Sequence, residues 1–175
     1  MIKDNKRRFI TNELSLLTLK ATLATRNSKW PVYKKTISEY QRQVPKNSFR
    51  NVLHEIEVKY SKMPSMDEHI SFISRTSEKL SLEIGLYLHE GKLRIGVAQK
   101  LINLHLKYLW CAGFIDEPHH CPIDGIIRDI ANLDYDWISN DNIDDYKKAI
   151  SKLQTIGKKE NISLAGWELV NFRRR

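Results

Sequence analysis

The stretch "RIGVAQKLINLHLKYLW", Arg94 to Trp110, carries Ile95, Val97, Ala98, Leu101, Ile102, Leu106 and Leu109 at helical rather than alternating spacing. Apolar residues recurring three and four apart predict an α-helix, and here they cover more than half its circumference. We therefore expect a helix from about Ile95 to Ala112 at the centre of the core. One charge interrupts its first turns, Lys100. An ammonium about one turn from the positive end of the helix dipole, among apolar neighbours, is disfavoured on both counts, so its pKa falls. A lysine that loses its proton more easily is a better nucleophile. The competing reading is a lysine whose stem packs beside the core while its amine reaches water.

The next informative stretch is "HHCPIDGIIRDIANLDYDW", His119 to Trp137. Pro122 suits the first turn of a helix running to about Leu133. Asp124 then lies where free backbone amides stabilise a carboxylate, and the loop between the two helices is short enough to return it towards Lys100. Asp124 can equally be helix-start punctuation.

Working outward, the rest of the chain also reads as helix. Leu14, Leu17, Ala21 and Ala24 form one stripe of a helix begun near Thr11. Pro31 opens a second, with Val32, Ile37, Tyr40 and Val44 on one side and Pro45 as its stop. Ser48 starts a third, through Phe49, Val52, Ile56 and Tyr60. Ser65 and Glu68 have the spacing of a capping box and begin a long segment to about His89, with Ile70, Ile73, Leu80, Ile84 and Leu88 inward. Residues 140–157 and 163–172 complete the set. The expected fold is all-α, about eight helices in one domain over 1–175, with possible lobes at 1–90 and 91–175.

Lys and Arg number 29 against 21 Asp and Glu, a formal net charge of +8. Lys3, Lys6, Arg7 and Arg8 open the chain and Arg173, Arg174 and Arg175 close it. That balance favours a polyanionic partner, nucleic acid ahead of a membrane surface. Cys111 and Cys121 make no disulfide framework, the opening residues lack a signal peptide's apolar run, and no stretch reaches the about 18 apolar residues of a membrane span. A soluble, cytoplasmic protein is expected. His105, His119 and His120 with the two cysteines lack the spacing of a zinc finger, so no metal site is expected. Trp30, Trp110, Trp137 and Trp167 could stack on an extruded base, although helical spacing among apolar neighbours favours core positions for Trp110 and Trp167.

Taken together, "RIGVAQK", then an apolar helix, then "CPID" and "IANLDYDW" resemble the helix-hairpin-helix DNA glycosylases. In that family a hairpin L-P-G-V-G-x-K supplies a lysine that attacks the deoxyribose C1′, and a later P-V-D supplies an aspartate that assists departure of the base. Gly96, Val97 and Lys100 match the hairpin, Pro122, Ile123 and Asp124 the second element, and residues 130–137 resemble the I-A-x-x-D-Y-x-W of the 8-oxoguanine branch. The likeness covers residues 94–137. Ile95 stands in place of the hairpin proline, Ala98 in place of its second glycine, and Gly125 in place of a bulkier residue. This degenerate hairpin is most similar to that of the archaeal 8-oxoguanine glycosylases. The four-cysteine iron–sulfur motif of another branch is absent, so no cofactor is implied.

The resemblance implies a glycosylase with lyase activity on a damaged or modified purine in duplex DNA, with Lys100 and Asp124 as catalytic residues. Arg94, Gly96, Ala98 and Gln99 of the hairpin-like stretch, with His119 and His120 of the loop, are the candidate DNA contacts. The alternative is a helical nucleic-acid-binding or protein-interaction module without catalysis, which needs only the charge and the amphipathic helices.

Overall fold

The computed structural model describes residues 1–24 and 29–173; Arg174 and Arg175 of the basic terminus lie outside the described residues. The fold is all-α. Seven α-helices are described: α1 Ile2–Leu23, α2 Gln43–Lys59, α3 Met66–Ile84, α4 Ile95–Cys111, α5 Gly125–Ile130, α6 Ile143–Lys159 and α7 Leu164–Asn171. Two single turns of 3₁₀-helix, Gly85–Tyr87 and His89–Gly91, separate α3 from α4. Among the described residues no helix is long and apolar enough to cross a membrane.

α4 is the hub. Twelve of its 17 residues are buried, and it packs against α1, α2, α3 and α6. Leu101, Ile102 and Leu106 have no solvent exposure, and each buried aliphatic side chain of this size contributes about 1.5–3 kcal/mol. One hydrophobic cluster takes in Leu19 of α1, Phe49 of α2, Phe72 of α3, Ile127 of α5, Tyr146 of α6 and Trp167 of α7. At α3, Ser65 Oγ accepts the Glu68 N–H at 3.3 Å while the Glu68 carboxylate accepts the Ser65 N–H at 2.8 Å, the reciprocal cap that the spacing implied.

Residues 31–42 do not form the expected helix, and Gln43 and Val44 belong to the one that follows. Tyr33 makes an isolated antiparallel bridge with Leu88, in which Lys34 N–H donates to the Tyr87 carbonyl and His89 N–H to the Val32 carbonyl. Val32 and Tyr33 are buried by this long-range pairing, with no amphipathic face involved. β-branched Val32, Thr36 and Ile37 favour that outcome. α2 accordingly starts at Gln43, with Pro45 inside its first turn, where a missing N–H costs nothing. α1 begins at Ile2, well before Thr11, and its first nine residues are exposed. α5 is shorter than expected, because Asn132 adopts a left-handed φ of 47° and Leu133 N–H closes on the Arg128 carbonyl.

The segment after α5 crosses the first turn of α4 at backbone contact. A Cβ at Gly96 would fall 1.9 Å from the Trp137 carbonyl oxygen and 2.6 Å from its carbonyl carbon. Backbone cannot yield as a side chain can. Gly96→Ala is therefore expected to destabilise by about 3 kcal/mol, the upper part of the overpacking range. For a chain of this size that is a fall in Tm of about 6–12 °C. An unchanged melting temperature would contradict backbone contact at this crossing.

Candidate active site

Lys100 stands one turn into α4, and Asp124 is the N-cap of α5. The chain brings them together. Lys100 Nζ lies 4.0 Å from Asp124 Oδ2, with the side chains 10% and 19% exposed. The separation exceeds a direct hydrogen bond and is well within strong Coulomb range. The same ammonium sits 3.9 Å from the centroid of the Trp137 ring, whose face also attracts a cation.

Asp124 divides its two oxygens. Oδ1 accepts the N–H groups of Ile126 at 2.9 Å and Ile127 at 3.2 Å, and Oδ2 faces Lys100. Helix cap and charge partner are therefore one residue performing both roles. Burial lowers the Lys100 pKa, and the Asp124 carboxylate opposes that shift. The net direction is down. A lysine with a lowered pKa and a carboxylate beside it can serve as a nucleophile with a proton acceptor at hand.

The hairpin-like residues are placed differently from what phosphate contact requires. Arg94 is buried: its Nε donates to the Ile138 carbonyl at 2.6 Å and its Nη2 to the carbonyls of Trp30 at 3.2 Å and Pro31 at 2.9 Å. Gly96 N–H donates to the Asn140 carbonyl, and the N–H groups of Val97 and Ala98 both donate to the Arg94 carbonyl. These first-turn amides are therefore already occupied within the chain. Ala98 and Gln99 have no exposure, and His120 is 1% exposed. His120 donates or accepts at Nδ1 with the Tyr146 hydroxyl at 2.8 Å, and burial pushes its pKa down to about 3, so it is a neutral interior group. Of the six candidate DNA contacts only His119 is exposed, and its Nε2 lies 2.9 Å from the Pro64 carbonyl.

Two features escaped the sequence reading. Gln99 bonds to both backbone groups of Ile123, the residue before Asp124. Nothing local in the sequence signals which loop a buried glutamine will meet. The second is an interior ion pair on the same helix as Lys100: Lys107 Nζ lies 2.9 and 2.7 Å from the two carboxylate oxygens of Glu168, and 4.5 Å from the Phe172 ring centroid. Burial raises the Glu168 pKa against the pull of Lys107. The signal for this pair was present, since Lys107 follows Lys100 by seven residues and Glu168 interrupts the apolar run "LAGWELV".

A cavity of about 750 Å³ lies away from this pair, lined by Asp134, Asp136, Asp141 and Asp145 together with Lys148 and Lys152. Its carboxylates repel phosphate. Among the described residues no group of three or more His, Cys, Asp or Glu side chains is placed to hold a metal ion. No family model, curated protein or solved structure matches the chain.

Proposed function

We propose that the protein is a DNA glycosylase with associated lyase activity, acting on a damaged or modified purine in duplex DNA. The observation that supports it most is the 4.0 Å approach of Lys100 Nζ to Asp124 Oδ2 in a largely buried setting. The resemblance of residues 94–137 to the 8-oxoguanine branch makes 8-oxoguanine the expected base. The +8 charge suits a phosphate backbone, and two free cysteines suit a reducing cytosol.

In this reading Lys100 reacts as the free amine. Its nitrogen lone pair forms a bond to C1′ of an extruded nucleotide as the glycosidic bond breaks, and the base leaves with that electron pair. Asp124 stabilises the positive charge that builds on the sugar and accepts the proton released by the new ammonium. Ring opening gives an imine between Lys100 and C1′. The imine acidifies the C2′ proton, and its removal expels the 3′ phosphate by elimination. Borohydride reduces the imine to a stable amine, so incubation with an abasic-site duplex and borohydride should give a covalent protein–DNA band. Intact protein that binds the duplex and gives no band would contradict the reading.

One observation favours the non-catalytic alternative: the first-turn amides of α4 are bonded within the chain and offer no phosphate cradle. The catalytic reading needs DNA affinity, as does the nucleic-acid-binding form of the alternative, whereas a protein-interaction module does not. That affinity should be strongly salt-dependent, because lysine and arginine contacts release counterions; about six phosphate contacts would lose about 10³-fold between 50 and 200 mM salt. Salt-insensitive binding, or none at low salt, would remove nucleic acid as the partner.

A further inference from the structure

Between α4 and α5 the chain runs without regular secondary structure through Cys121, Pro122 and Ile123 to Asp124. A carboxylate at the end of such a segment has no ladder or helix to fix its position. Gln99, fully buried and adjacent in sequence to Lys100, supplies a clamp instead. Its Nε2 donates to the Ile123 carbonyl at 2.7 Å and its Oε1 accepts the Ile123 N–H at 3.2 Å, a two-bond pairing with the residue preceding Asp124. Nε2 also donates to the Gly96 carbonyl at 3.0 Å, which ties the amide to its own helix.

The clamp is itself held. Asn103, one turn along α4, donates from Nδ2 to Gln99 Oε1 at 3.3 Å and to the Tyr146 hydroxyl at 3.0 Å. Tyr146 in turn meets His120 Nδ1 at 2.8 Å. The segment leading to Asp124 is thus fastened at His120 and Ile123 by one buried set of amides and a hydroxyl carried by α4 and α6. A glutamine that only filled the core would leave Ile123 to other partners.

We propose that Gln99 is a positioning residue that sets the distance between the Asp124 carboxylate and the Lys100 amine, an inference that rests on reading Lys100 and Asp124 as the catalytic pair. One helix turn then carries both the nucleophile and the clamp that places its partner. Gln99 touches no reacting atom.

The test is a double-mutant cycle between Gln99→Met and Asp124→Asn, read as the single-turnover rate of borohydride-trapped imine formation on abasic-site duplex, with the Kd for that duplex measured alongside. Gln99→Met should slow imine formation by about 10²-fold, the cost of a misplacement near 1 Å, and leave Kd within about twofold. In the Asp124→Asn background the same change should slow it by less than about twofold, because the group being positioned is already gone. Equal slowing in both backgrounds, or a Kd that rises with the loss of rate, overturns the inference. Gln99→Glu keeps the acceptor for the Ile123 N–H and loses the donor; it takes the place of Gln99→Met if that variant does not fold. Loss of the fold in both variants overturns the inference in favour of a purely structural clamp. Absence of imine with the unmodified protein is a different result: it removes the glycosylase reading itself, and this inference with it.

Discussion

Lys100→Gln is expected to abolish the borohydride-trapped adduct while leaving the fold and DNA binding in place. Glutamine keeps most of the side chain's length and removes the amine that contacts the Trp137 ring, the group able to form an imine. The structural cost should be small. Asp124 loses its opposite charge but keeps two backbone N–H bonds and 19% exposure, so the cost falls between an exposed pair's near-zero and a fully buried pair's several kcal/mol, about 1–2 kcal/mol. A gel for the adduct and a melting curve read both halves. In the unmodified protein the trapped rate should rise with pH, because the free-amine fraction rises, and level off below the ordinary lysine value, because burial lowers the Lys100 pKa. A Lys100→Gln protein that still forms adduct at the normal rate would assign the imine to another amine.

Asp124→Asn is expected to slow base excision by about 10²–10³-fold while costing only about 1–2 kcal/mol of stability, the same order as breaking the pair from the Lys100 side. Asparagine caps a helix about as well as aspartate, so the Ile126 and Ile127 N–H groups keep their acceptor. What disappears is the charge on Oδ2 beside Lys100. The sign is informative. Removing a carboxylate that raises the Lys100 pKa makes the free amine more available, so nucleophile supply alone would give a faster reaction. Slowing can then come only from the lost proton acceptor and the lost stabilisation of the cationic sugar. Unchanged single-turnover excision would leave Asp124 as punctuation and nothing more.

α4 was legible almost residue for residue because its apolar pattern is dense and local: expectation and structure agree from Ile95 to within one residue of its end. The Ser65–Glu68 cap was legible for the same reason, since both partners lie within four residues. Residues 31–42 misled because Val32 and Tyr33 are buried at a bridge to Leu88, a partner more than fifty residues away in the chain, while Tyr40 of the same pattern is exposed. Gly96 shows the same limit at the site. It stands among the candidate DNA contacts in the sequence, and the space beside it is filled by the Trp137 backbone. The approach of Lys100 to Asp124 followed from order, spacing and loop length, whereas the Gln99 clamp depends on which backbone groups a loop presents after folding.

The most direct measurement is to trap the unmodified protein on an abasic-site duplex with borohydride, digest it, and locate the reduced sugar by peptide mass. The account predicts a single modified residue, Lys100, in the peptide from α4. Modification at the terminal amine or at surface lysines in place of Lys100 would contradict it, as would intact protein bound to the duplex with no adduct at all.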